Sequence, residues 1–132
     1  MYLRIIWLAG ILWTGIMAGF FWAFSFTVMP GLGATEPLAA MAAMQGINEV
    51  VRNAVFFTGF FGAPVLCILL IGISLVQRIG KIKWLVIAGG LIYLIGVFLV
   101  TTTIHVPMNE ELALLDATAS KNIGYMNDYI QS

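Results

Sequence analysis

The sequence has very little charge. Only 9% of its 132 residues are Asp, Glu, Lys or Arg, while 61% are hydrophobic and the mean hydropathy is +1.02. A chain with so few charges cannot cover its surface with polar groups as a soluble domain does. The composition therefore predicts an integral membrane protein.

The scarcity of basic residues, cysteine and histidine excludes several functional classes. The net charge is zero, and the six basic residues form no stripe that could neutralise the phosphates of a nucleic acid. Cys67 is the only cysteine and His105 the only histidine, so neither a disulfide nor a metal site built from protein ligands alone is expected. One histidine ligand to a haem stays open. Cys67 is predicted to be a small, buried hydrophobic residue.

Motifs that mark common soluble enzymes are missing as well. The sequence contains no phosphate-binding glycine loop, dinucleotide fingerprint, nucleophile elbow or paired-histidine zinc motif. Function must therefore be sought in residues outside these motifs.

Three charge-free apolar runs are present, each at or above the roughly 20 residues that a helix needs to cross the hydrocarbon core. They predict transmembrane helices at about residues 5–29, 54–77 and 84–104. The first run is too long for a signal peptide and is expected to stay in the mature protein. Without a repeat or linker, residues 1–132 are predicted to form a single all-α membrane domain.

The basic residues orient this bundle. Four of the six precede the first run or lie in the connection "QRIGKIK"; they are Arg4, Arg78, Lys81 and Lys83. Because short cytoplasmic segments are enriched in Lys and Arg, both places are predicted to be cytoplasmic in a multi-pass protein of the cell membrane. The loop 30–53 and the tail 106–132 are then extracytoplasmic, with His105 at the outer mouth.

The outer loop carries a polar stripe. Pro37 suits the first turn of a helix that runs through "LAAMAAMQGINEVV". On that helix four polar side chains fall within about 100° of one another; they are Gln45, Asn48, Glu49 and Arg52. The helix is expected to continue into the second span, which brings the stripe to the depth of His105. Spacing alone favours a solvated interfacial face over a polar site.

The segment "TTTIHVPMNEEL" ends the third run. Pro107 is expected to end that span near His105, and Asn109 to cap a new helix. These local rules leave His105 unexplained, although its imidazole can change charge near neutral pH. A polar group at that depth needs a partner, so we expect His105 to contact Asn48 or Gln45.

At these residues the sequence resembles a known family. "VPMN", together with "QGIN" before the second span and "FTVMPGL" at the end of the first, is similar to the anthrone oxygenase-like family of small membrane proteins. The resemblance covers most of the chain. It implies four transmembrane helices, whereas this chain has three apolar runs. The expectation is a shortened form, or a three-helix protomer completed by assembly as a homo-oligomer.

The resemblance also implies a reaction, the oxidation of an anthrone to an anthraquinone by dioxygen without an obvious cofactor. His105 would then be the base that removes the ring-methylene proton, with Gln45, Asn48 and Asn109 holding the developing oxyanion. Arg52 could stabilise the same charge or pair with Glu49. The implied partners are the lipid bilayer and an aromatic small molecule.

Two other functions remain open. The first is a non-catalytic membrane subunit or ligand-binding module, in which the polar stripe and His105 only pack the loop against the bundle. The second is a small transporter, which is the weakest reading because no charged residue lies inside any apolar run.

Overall fold

The computed structural model describes residues 2–77 and 80–131, and this part of the chain is helical without strands. Its helices are α1 (Tyr2–Gly33), α2 (Pro37–Val51), α3 (Ala54–Val76), α4 (Ile82–Leu114) and α5 (Ile123–Gln131). Among the described residues, α1, α3 and α4 are long and apolar enough to cross a membrane. The predicted all-α membrane bundle, with a separate helix before its second span, is confirmed. Arg78 of the basic connection lies outside the described residues.

Helix α3 lies between α1 and α4 and contacts both. Cys67 is buried in the apolar core that the three helices share, as the sequence predicted, and Phe60 packs on Phe98 with ring centroids 5.1 Å apart. On the outer faces, large apolar side chains such as Leu85 are exposed, in this case by 75%. These faces suit a lipid environment, where apolar surface has no need to be hidden from water.

Helices α1 and α4 extend beyond the end of α3. Each has more than 30 residues, about 48 Å of helix, against a hydrocarbon core of about 30 Å. Two ring contacts show which levels of the helices lie side by side: Phe20 of α1 packs on Phe56 of α3, and Phe60 of α3 packs on Phe98 of α4. The start of α3 at Ala54 therefore lies near residue 22 of α1 and residue 104 of α4. The parts of α1 and α4 beyond that level, with α2 and α5, form what we call the cap.

Local hydrogen bonds shape the cap. Glu36 accepts hydrogen bonds from the backbone N–H groups of Leu38 and Ala39, so α2 begins at Pro37 as predicted. After α4, the side chain of Asn122 donates to the carbonyl of Asp116 at 2.9 Å. That bond reverses the chain, so that α5 packs back against α2.

The prediction that Pro107 ends the third span was wrong. Helix α4 continues to Leu114, and Asn109 lies inside it instead of capping a new helix. Residues Thr101–His105 form a π-helical turn, in which the Val106 N–H bonds five residues back to Thr101. This wider turn relieves the clash that a proline ring makes with an α-helical carbonyl. The hydroxyl of Thr103 also donates to the Leu99 carbonyl, which supports the helix before the proline.

The expectation that α2 continues into α3 was also wrong. The helix ends at Val51, and Asn53 adopts an extended backbone conformation. The Asn53 side chain accepts a hydrogen bond from the Phe56 N–H at 3.0 Å and so caps the start of α3. As a result α2 can lie over the end of the bundle and face α4 and α5.

Candidate functional site

The cap has its own core, separate from the core of the bundle. Seven of its side chains are buried; they are Leu32, Ala40, Met41, Met44, Leu112, Met126 and Tyr129. Three polar side chains of α2 and α4 lie among or beside them, namely Gln45, Asn48 and Asn109. Buried polar groups need hydrogen-bond partners, so their contacts show what each of them does.

Gln45 joins α2 to the end of α4. Its Nε2 donates hydrogen bonds of 2.8 Å to the carbonyls of Leu112 and Leu115. Carbonyls at a helix end lack partners within the helix, and this side chain supplies a donor to the Leu115 carbonyl and a second donor to the Leu112 carbonyl, which also accepts from the Leu115 N–H. Both amide hydrogens of Gln45 are thereby used. The bonds give Gln45 a positioning role, and they leave it without a hydrogen to donate to an oxyanion.

Replacing Gln45 with methionine should loosen the end of α4. The change keeps the length of the side chain but removes the Gln45 donor from the Leu115 carbonyl and leaves the Leu112 carbonyl with the Leu115 N–H alone, at an expected cost of about 1 to 3 kcal/mol. Hydrogen exchange of the amides in residues 110–118 should speed up accordingly. Gln77→Met is the matched control, because Gln77 is exposed at the end of α3. Equal effects of the two substitutions would contradict this role.

Tyr129 links Asn48 and Asn109. Its hydroxyl donates a short hydrogen bond to Oδ1 of Asn109 and lies beside the Asn48 side chain. Tyr129 is 7% exposed and Asn48 is 5% exposed, so both belong to the cap interior. The Nδ2 of Asn48 makes no hydrogen bond of ordinary geometry within residues 2–77 and 80–131, although the Asn48 side chain lies against the Tyr129 hydroxyl. A buried amide with at least one hydrogen still to donate therefore faces this cluster.

The Tyr129 hydroxyl stays protonated at physiological pH. Burial raises the pKa of Tyr129 to about 12, the Asn48 amide partly offsets the rise, and Tyr125 adds to it. A protonated phenol is the form that can donate to Asn109. The cluster is thus held by a neutral donor.

Tyr129→Phe should destabilise the cap by about 1 to 3 kcal/mol, because it leaves the Asn109 acceptor without its donor. Tyr125→Phe is the matched control on the same helix. The Tyr125 hydroxyl bonds to Glu111 at 3.1 Å in an exposed position, where water can replace it. Hydrogen exchange of α5 measures both effects. Equal losses in the two variants would contradict a buried link through Tyr129.

Alkaline titration gives a second readout of the Tyr129 link. The folded pKa of about 12 lies above the ordinary value of 10.0, so the folded state binds the proton more tightly than the unfolded state. The stabilisation is therefore complete below pH 10 and is lost as the pH rises towards 12. Tyr129→Phe should remove this loss from the cap, and Tyr125→Phe should retain it.

His105 lies one helical turn before Asn109 on α4, and side chains four residues apart share a helix face. The residue is exposed, at the depth where α3 begins. In the described part of the chain it makes no hydrogen bond to Asn48, Gln45 or Asn109, so the expected direct contact is not formed. The ring is open to its surroundings at the end of the bundle where α3 begins.

The polar stripe of α2 is divided. Gln45 and Asn48 face the interior of the cap, whereas Glu49 and Arg52 are exposed. No ion pair joins Glu49 to Arg52 among the described residues. Arg52 lies just after the last residue of α2, so its position is compatible with attraction of an anion at the surface.

Two open grooves lie away from the cap cluster. One is an apolar groove of about 450 Å³ between α1 and α3, lined by Trp13, Met17 and Thr58 among others. The other, of about 480 Å³, lies at the opposite end of the bundle. Where the structure describes the chain, no three His, Cys, Asp or Glu side chains are grouped as metal ligands would be.

Sequence reasoning missed Tyr129. A signal was available, because Ile123, Met126 and Ile130 recur at helical spacing and predict an amphipathic tail helix with Tyr129 on the same face. The sequence could not show that this face packs on α2 and α4. That packing makes the tail a part of the site.

Comparison with known proteins identifies a family. A family model described as anthrone oxygenase matches residues 22–125, which is more than three quarters of the chain. The matched region contains Gln45, Asn48, Arg52, His105 and Asn109, while Tyr129 lies outside it. No curated protein and no solved structure matches the chain.

Proposed function

The chain belongs to the anthrone oxygenase family, and on that premise we propose that it is a membrane oxidoreductase that oxidises an aromatic or quinone-type substrate with dioxygen at the cap. The observation that carries the proposal is the buried Nδ2 of Asn48, which makes no hydrogen bond of ordinary geometry and lies beside Tyr129 and Asn109. His105 lies one helical turn from Asn109. Together these residues supply a proton acceptor and a hydrogen-bond donor on one side of the cap.

The chemistry begins with a proton transfer. In an anthrone, the ring methylene next to two aromatic rings is acidic because the resulting carbanion delocalises onto the ketone oxygen. His105 removes this proton as a neutral imidazole. The charge that develops on the ketone oxygen is stabilised by a hydrogen bond from Nδ2 of Asn48. Asn109 and Tyr129 hold the neighbouring part of the cap in place.

Dioxygen then serves as the oxidant. The carbanion reduces it and forms a carbon–oxygen bond, and protonation gives a hydroperoxide at the former methylene carbon. Loss of water breaks the oxygen–oxygen bond and leaves the quinone carbonyl. One dioxygen is consumed, one of its oxygen atoms enters the quinone, and the other leaves as water. Every atom and electron is accounted for by the two reactants.

The depth of His105 suits a lipophilic substrate. Flat aromatic molecules partition into the bilayer, and His105 is exposed at the level where α3 begins. A substrate could therefore reach the imidazole from the membrane without crossing the core of the bundle. Arg52, exposed after α2, would attract the anionic intermediate at the same surface.

The test is oxygen uptake by the purified protein in lipid nanodiscs with a simple anthrone. We expect consumption of dioxygen and formation of an anthraquinone in equal amounts, above the spontaneous oxidation in empty nanodiscs. A non-catalytic binding module would instead retain the anthrone without speeding its oxidation. That result would replace the oxidoreductase proposal with the binding one.

We further propose that the cap faces away from the cytoplasm. The described basic residues at the other end of the bundle are Arg4, Lys81 and Lys83, and basic segments are retained in the cytoplasm. In intact cells, a membrane-impermeant thiol reagent should label Ser120→Cys and not Gln77→Cys. The native Cys67 should not be labelled, because it is buried. The reverse labelling pattern would contradict this orientation.

A further inference from the structure

A basic groove lies at the end of the bundle opposite the cap. It has a volume of about 480 Å³ and opens between the end of α3 and the start of α4. Its lining residues are Leu75, Gly80, Lys81, Lys83 and Trp84. Gly80 has a φ of 64°, a backbone conformation that glycine adopts without strain, and this turn brings Lys81 into the lining. We refer to this site as the basic groove.

The groove has no counter-charge within the chain. All six acidic residues of the sequence lie in the loop or the tail that build the cap; they are Glu36, Glu49, Glu110, Glu111, Asp116 and Asp128. The length of α3 separates them from Lys81 and Lys83, a distance of about 34 Å at 1.5 Å per residue. At that distance a carboxylate is screened from the groove. The chain thus leaves these two lysines free to contact an anionic group of another molecule.

The side chains of the groove are arranged for a membrane surface. Lys83 is half-buried, and its Nζ lies 5.1 Å from the centre of the Trp84 ring, a cation–π contact. Trp84 is 62% exposed beside an equally exposed Ile82. Tryptophan next to apolar side chains is typical of the headgroup level of a bilayer. Leu75 adds an apolar wall below the two ammonium groups.

We propose that the basic groove binds the phosphate of an anionic phospholipid from the surrounding bilayer. Lys81 and Lys83 contact the phosphate and Trp84 packs on the glycerol region, while Leu75 contacts the upper part of an acyl chain. Basic pockets between transmembrane helices suit such headgroups, and each lysine near an anionic surface contributes enough to change affinity about fivefold. This inference does not depend on the proposed oxidation.

The experiment is a lipid titration of the full chain in mild detergent, followed by native mass spectrometry. The probes are a short-chain phosphatidylglycerol and a phosphatidylcholine with the same acyl chains. We expect phosphatidylglycerol to bind the wild type more tightly. In Lys81→Gln/Lys83→Gln this preference should fall by about 25-fold, and rising salt should weaken it in the wild type. An unchanged preference in the double variant would overturn the proposal.

Two control variants test whether the lipid preference arises from the basic groove or from positive charge anywhere on the protein. Lys121→Gln removes a lysine from the cap and should leave the preference intact, and an equal loss there would overturn the assignment to the groove. Lys81→Arg/Lys83→Arg keeps both charges and should retain the preference, which guards against loss through misfolding. Inorganic phosphate is the last probe. If it displaces phosphatidylglycerol at comparable concentration, the site binds free phosphate and the lipid assignment is wrong.

Discussion

His105→Gln is expected to lower the turnover of an anthrone by roughly 10² to 10⁴, the usual size of general acid–base catalysis. The ring is exposed on α4 and makes no hydrogen bond within the described residues, so its loss should leave the fold and the unfolding temperature unchanged. Glutamine keeps a polar side chain but cannot accept a proton at neutral pH. Steady-state oxygen uptake in nanodiscs measures the effect.

Glu110→Gln is the matched control for His105→Gln, because Glu110 is an exposed residue on the next turn of the same helix. Its turnover should stay within about twofold of the wild type, since surface substitutions away from a site have small effects. Full activity in His105→Gln would remove the base from the proposed reaction.

Asn48→Leu is expected to separate stability from activity. Loss of one oxyanion donor typically costs 10² to 10³ in kcat. The Asn48 Nδ2 is buried and makes no hydrogen bond of ordinary geometry in the described structure, so replacing it with an apolar side chain of similar size should cost little stability. Turnover should therefore fall by about 10² or more while the cap loses little stability.

Asn127→Leu is the control for the same chemical change at an exposed position on α5. It should alter neither turnover nor stability by a measurable amount. If Asn48 served only to pack α2 on α5, Asn48→Leu would lower the cap's stability and leave the rate per folded molecule unchanged. The unfolding midpoint and kcat, measured on one preparation, distinguish the two roles.

Composition and run length were sufficient to predict the three long helices, because a helix in lipid must be apolar along roughly 20 residues whatever its neighbours are. The start of α2 was also predictable. Glu36 and Pro37 act within a few residues of the backbone groups that they cap, so the signal is local. Both features depend on sequence neighbours alone.

The structure of the cap could not be predicted from rules that consider only neighbouring residues in the sequence. The effect of Pro107 was mispredicted because that rule assumes an α-helical turn, whereas Thr101–His105 form a π-helical one. The partner of Asn48 was missed because Tyr129 reaches it only when α5 folds back over α2. His105 was expected to need a hydrogen-bond partner within the protein, but it is exposed and so does not need one. Tertiary packing decided the case of Asn48, and a local departure from α-helical geometry decided the case of Pro107.

The origin of the oxygen in the product tests the proposed site most directly. The purified protein is supplied with an anthrone and isotopically labelled dioxygen in ordinary water, and the quinone is analysed by mass spectrometry. We predict one labelled oxygen atom in each quinone, formed at least about 10² times faster by the wild type than by His105→Gln. A quinone whose new oxygen comes from water, or equal rates for the two proteins, would contradict oxidation at this site.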